Sequence, residues 1–188
     1  MTKRFFQHYL LPALIGVSAL YLGIYTYQHI NRHNHSQQQS TTISPVFSTQ
    51  LSSISTPPAA LNHWKNKILV VNFWATWCAP CKKEIPTLVK MRQQWLNKDV
   101  EFIGIAIDFP DDIKAFIKTT PIPYPVLIAA NEGMQLMQLL GNTKGVLPFT
   151  AVIDRSQHSF ETITGIVQTD DLEKRLKQLT SSQSPSQN

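Results

Sequence analysis

The apolar run Ile68 to Trp74 leads directly into Ala75-Thr76-Trp77-Cys78-Ala79-Pro80-Cys81, and this junction constrains the fold more than any other part of the chain. A near-continuous apolar run reads as a strand buried on both faces in the middle of a sheet. Helix formers follow the cysteines, so the pattern predicts a strand–turn–helix unit with Cys78 at the helix start and Cys81 one turn inside. Unpaired N–H groups and the positive end of the helix dipole there favour a thiolate at Cys78. Cysteines in such motifs ionise at about 3.5 to 7, against about 8.5 for a free thiol. Cys78 is therefore the expected attacking thiol, and Cys81, more enclosed, the resolving one.

Other uses of the pair fit less well. As a structural staple it closes so short a loop that chain entropy yields only about 2 kcal/mol. As zinc ligands the two thiolates fall short of the usual set of about four, and no second CxxC accompanies them. Copper(I), which takes fewer and softer ligands, stays open as an alternative. Redox exchange between the two sulfurs is the favoured reading; it calls for no cofactor and no bound metal. Both cysteines lie inside the motif, so none remains for a structural disulfide framework.

The segment from Val70 through Trp77, Cys78 and Cys81 to Glu84-Ile85-Pro86 resembles the active site of the membrane-anchored thioredoxin-like reductases of the TlpA and ResA type. A second motif, Gly145-Val146-Leu147-Pro148-Phe149-Thr150 followed by Ala151-Val152-Ile153-Asp154, strengthens the likeness, which spans residues 43–180. The resemblance implies an α/β thioredoxin fold, a central mixed β-sheet flanked by helices. It also implies a thiol:disulfide oxidoreductase working through a redox-active Cys78–Cys81 disulfide. In that family the proline matching Pro148 is cis and lies against the cysteines, which would offer Leu147 main-chain groups to an extended partner segment. A turn proline before a strand is the plainer reading of Pro148. Trp74 and Trp77 are expected to shield the disulfide, Trp77 also giving a partner a flat apolar contact.

Thioredoxins carry a buried Asp where Asn72 stands, and Asn cannot take up a proton. Glu84, three residues beyond Cys81 and on nearly the same helix face, is the candidate to manage the Cys81 proton. The reductase family has a glutamate at this position. Burial beside the cysteines would raise its pKa. The alternative is a first-turn Glu that merely favours the helix dipole. Lys82 and Lys83 either steer partners or are plain solvated surface.

Ahead of the domain, Lys3-Arg4 precede an uncharged run from Phe5 to Ile30. About 20 apolar residues span a bilayer core of about 30 Å as a helix, and basic residues stay on the cytoplasmic side. Residues 1–30 are accordingly read as a cytoplasmic start and single transmembrane anchor, which would place the domain in the periplasm at a bacterial inner membrane. A signal peptide cleaved near Val17-Ser18-Ala19 is the rival reading. Residues 31–43 read as a polar linker, with His33 and His35, and His29 just before it, as polarity rather than a metal site. Residues 44–180 form the domain and 181–188 a disordered tail. The formal charge of +5 partly reflects Lys3, Arg4 and Arg32; all 12 acidic residues lie in the domain. No clustered basic face suggests nucleic acid.

Within the domain, the pattern predicts a short strand or hairpin in Ser44–Ile54 and a short helix from Ala59 to Trp64. A helix from Pro80 to Leu96, bent at Pro86, is followed by a strand from Val100 to Ile107 parallel to the first. Then come a helix from Asp111 to Thr119, a strand from Tyr124 to Ala129, and a helix from Met134 to Leu140 with Met134 and Met137 in the core. Strands Phe149–Ile153 and Phe160–Ile166 flank a turn lacking glycine, so a longer or distorted hairpin is expected. An amphipathic helix from Asp170 to Leu179 closes the domain.

The resemblance implies client proteins with disulfides, such as apocytochrome c or copper-site proteins, and a transmembrane electron-donor protein. The alternatives are a disulfide-forming oxidant and a copper(I) chaperone, whose nearest downstream ligand would be His158.

Overall fold

The computed structural model describes residues 22–26, 44–54 and 56–181. Most of the expected anchor, the linker before residue 44 and the tail beyond Ser181 lie outside the described residues. Residues 22–26 are helical and exposed. Among the described residues no helix is long and apolar enough to cross a membrane.

The domain is an α/β fold of thioredoxin type. Six strands, β1 (Ser52–Ser53), β2 (Ile68–Trp74), β3 (Val100–Ala106), β4 (Val126–Ile128), β5 (Phe149–Ile153) and β6 (Phe160–Thr164), form one mixed sheet in the order β1-β4-β3-β2-β5-β6. β2, β3 and β4 run parallel, while β1, β5 and β6 are antiparallel to their neighbours. The helices are α1 (Ala79–Trp95), α2 (Pro110–Thr119), α3 (Gly133–Leu139) and α4 (Thr169–Ser181).

Every residue of β2 is buried, because the strand lies between two others and both of its faces are covered. Side chains alternate across the sheet. Leu69, Val71 and Phe73 join Ile103, Ile105, Phe149, Ala151 and Ile153 under α3 and the segment that carries Val46, Phe47 and Leu61. On the opposite face, Ile68 and Val70 pack with Leu88, Met91 and Trp95 of α1 and Leu172 and Leu176 of α4. Trp74 extends that face toward Cys78, Cys81, Ile85 and Ile113 of α2.

Several local expectations are corrected. The short strand expected in Ser44–Ile54 is confined to Ser52–Ser53, while residues 44–48 form a helical turn that buries Val46 and Phe47. The helix expected from Ala59 is a 3-10 turn over Leu61–Trp64. As expected, α1 carries Pro86 inside it, the missing N–H being absorbed within the helix. β6 stops at Thr164, where Gly165 takes a φ of +90°. Met137 is in the core, whereas Met134 is an exposed residue, because it faces the loop before β5.

The glycine-free hairpin is closed by its own side chains. Asp154 Oδ1 accepts from the N–H groups of His158 (3.2 Å) and Ser159 (3.2 Å), and Ser156 donates its hydroxyl to Oδ2 at 2.7 Å. Gln157 takes the left-handed conformation, φ 58°, where a glycine is usual. The strands still leave the turn in register, Ile153 opposite Phe160.

Candidate active site

β2 carries the chain to the C-terminal edge of its parallel strands and delivers it to the start of α1. Cys78 is the N-cap residue, its backbone extended, and its Sγ accepts from the Cys81 N–H at 3.3 Å. The sulfur thus meets one of the unpaired first-turn donors. Cys78 and Cys81 are joined by a disulfide across a Cα separation of 5.3 Å. Cys78 keeps 5% exposure and Cys81 none.

The turn before Cys78 is braced from the next strand. Thr76 donates both its N–H (3.1 Å) and its hydroxyl to Asp108 Oδ2, and the other oxygen of Asp108 accepts from the Phe109 N–H at 2.9 Å. Trp77, held at the tip of this turn, is exposed at 68%. Trp74 is fully buried and packs on Phe116, ring centroids 5.2 Å apart. The two tryptophans therefore part company: Trp74 floors the site and Trp77 faces outward. Lys82 and Lys83 are exposed.

The Leu147–Pro148 peptide bond is cis. Since Phe149 lies opposite Phe73 in the antiparallel register, Pro148 comes level with Trp74, beside the cysteine turn. Leu147 packs against the cluster that contains both cysteines. The Pro148 carbonyl accepts from the Gly165 N–H at 2.9 Å.

Glu84 is not a first-turn residue of α1. It is 1% exposed, so the helix-dipole reading of this residue does not hold. Its Oε1 accepts from Asn72 Nδ2 at 2.6 Å and its Oε2 from the Val167 N–H at 2.8 Å. Asn72 Nδ2 also donates to Thr150 Oγ1 at 3.0 Å. Burial pushes the Glu84 carboxyl above its ordinary range, and the two hydrogen bonds pull it back only in part. Burial, and secondarily the Glu84 carboxylate, push the Tyr124 phenol far up. Asn72, Glu84 and Thr150 thus come from three elements to make one buried polar group on the face that holds the cysteines.

His158 lies in the β5–β6 turn, beyond the end of β5 remote from Pro148, so it does not reach the cysteines. Among the described residues no group of three or more His, Cys, Asp or Glu is placed to hold a metal.

Asp108, Thr150 and Val167 play parts that motif reading missed. Asp108 carried a usable signal, a polar residue just past the C-terminal end of a parallel strand, where sites in α/β sheets collect. Val167 acts through its backbone N–H, which no side chain announces.

A model of the AhpC/TSA family matches residues 44–158, the stretch that contains both cysteines and the cis proline. The chain belongs to the AhpC/TSA family. Among its relatives, the thiol-disulfide oxidoreductase ResA of Bacillus thuringiensis subsp. konkukian is 32% identical over 121 residues, covering 64% of this chain and 68% of that protein. The thioredoxin-like protein YneN of Bacillus subtilis is 30% identical over 134 residues, 68% of this chain and 73% of YneN. The crystal structure of a thioredoxin-related protein from Neisseria meningitidis serogroup B shares 39% identity at a TM-score of 0.60, covering 69% of this chain and 96% of that one. With the bonded CxxC pair at its helix start, this AhpC/TSA-family chain is a thiol-disulfide oxidoreductase of the ResA type.

Proposed function

We propose that the protein is a membrane-tethered reductase of client disulfides, held at the outer face of a bacterial inner membrane. The uncharged run from Phe5 to Ile30 behind Lys3-Arg4 supports the tether and its orientation. One observation carries the chemistry: Cys78 caps the helix and keeps slight exposure, while Cys81 is fully enclosed. Only the first sulfur can be reached by a protein partner.

In the reduced protein the Cys78 thiolate attacks one sulfur of a client disulfide, and the other client sulfur leaves as a thiolate. Cys81, deprotonated, then attacks Cys78 Sγ. That step releases the second client sulfur and closes the Cys78–Cys81 disulfide; the client gains two electrons and the protein loses them. Glu84, kept in a buried pocket with a raised pKa, takes the Cys81 proton. The Leu147 main chain beside cis-Pro148 aligns an extended client segment, and exposed Trp77 gives it an apolar rest. A transmembrane dithiol donor restores the thiols by the reverse exchange. Apocytochrome c and copper-site proteins, whose cysteines must be reduced before they take their cofactor, are the client class.

Cys81→Ser in the full chain tests this reading in cells. It should accumulate mixed disulfides through Cys78 while abolishing turnover. Better trapping by Cys78→Ser would reverse the roles. After reduction, a membrane-impermeant thiol reagent should label Cys78 in cells with a permeabilised outer membrane; labelling only after lysis would remove the proposed location.

A further inference from the structure

Between α3 and β5 lies Asn142, a polar residue of which only 7% is exposed. Its side chain does what a neighbouring strand would do. Asn142 Nδ2 donates to the Val146 carbonyl at 2.8 Å, and Asn142 Oδ1 accepts from the Val146 N–H at 3.1 Å. Its own main chain ties both ends of the loop: the Asn142 N–H donates to the Met137 carbonyl at 2.9 Å, and the Asn142 carbonyl accepts from the Gly145 N–H at 3.3 Å.

Two further features hold the same loop. Gly145 has a φ of +64°, a conformation strained for any residue with a Cβ. A Cβ on Gly145 would also lie 2.6 Å from Met134 Cε and 2.8 Å from its Sδ, so the exposed Met134 side chain is a wall of this loop. Val146 follows, 42% exposed, and Leu147 with its cis bond to Pro148 comes next.

We infer that Asn142 is a positioning residue that sets where a client strand docks beside the disulfide. By occupying both main-chain polar groups of Val146, its amide removes that residue from strand pairing and leaves Leu147 as the place where an extended client segment pairs. The loop is also held before the client arrives, which lowers the ordering cost of docking. This inference rests on the reading of the protein as a reductase of protein disulfides.

Asn142→Ala and Asn142→Asp in the full chain test it. The aspartate keeps an acceptor for the Val146 N–H and loses the donor to the Val146 carbonyl. With a protein disulfide such as insulin, Asn142→Ala should raise KM about five- to tenfold, the size of one or two neutral hydrogen bonds, and Asn142→Asp, which sets a carboxylate oxygen against the Val146 carbonyl, should raise it at least as much. A small aromatic disulfide, which has no backbone to pair, should react within about twofold of the parent rate, and the midpoint potential of the cysteine pair should hold. An unchanged KM for the protein substrate overturns the inference, as does an equal loss with both substrates. Failure of the parent protein to reduce any protein disulfide would instead overturn the reductase reading itself.

Discussion

The two faces of β2 differ in kind although both are buried. Leu69, Val71 and Phe73 pack into an apolar cluster with Ile103, Ile105 and Phe149. On the other face Ile68, Val70 and Trp74 are interrupted by Asn72, bonded to Glu84 and Thr150. Burying a polar group without hydrogen bonds is costly, so the second face needs particular partners where the first needs chiefly volume. The first face anchors the sheet. The second carries the helix whose first turn holds the cysteines, and a carboxyl with a displaced pKa.

The sharpest way to break this contrast is to damage the apolar face alone. Phe73 is fully buried and packs on Phe149, ring centroids 5.7 Å apart. Phe73→Ala should cost about 3 to 5 kcal/mol in urea unfolding and leave the midpoint potential of the cysteine pair near the parent value. A small loss of stability with a large shift in potential would mean that the faces are not separable.

On the other face, Gly104 lies beside Asn72 in the parallel register. A Cβ there would come within 3.0 Å of Trp74 Nε1 and 3.4 Å of Tyr124 Cε2. Gly104→Ala should therefore cost about 1 to 3 kcal/mol and change the fluorescence of buried Trp74. Unchanged melting and emission would show that the floor of the site has slack.

Glu84→Gln should have the smallest effect on stability at low pH and a distinct effect on its pH dependence. Because the folded-state pKa lies above 4.5, the native protein holds this proton more tightly than the unfolded chain. The stabilisation is complete below the unfolded value and is lost as pH rises through the raised folded value. The parent should therefore weaken across that window, and the Gln variant, with the Asn72 amide turned to meet it, should not. Parallel stability–pH curves for the two proteins would remove Glu84 as a titrating group.

Much of this was legible in the chain. The run from Ile68 to Trp74 and the cysteine spacing announce a buried strand, a helix start and an exchange site. The second motif, through its resemblance, points to Pro148. Less visible were residues whose role depends on a distant partner. Asn72 reads as an odd residue in an apolar run until Glu84 and Thr150 are seen around it. Asn142 reads as loop polarity until its amide is seen paired with Val146. Ser44 to Ile54 has an apolar content that suits strand or helix alike, and its helical turn comes from packing Val46 and Phe47 onto the sheet.

Local pattern alone determined the elements with strong periodicity and the placing of both cysteines at a helix start, because strand alternation and helix spacing act over a few residues. The tertiary structure decided which polar groups meet, which tryptophan is buried and which faces outward, and what braces the loops beside the disulfide. Those outcomes depend on contacts between residues far apart in the chain, where burial makes each unpaired polar atom costly and so selects its partner.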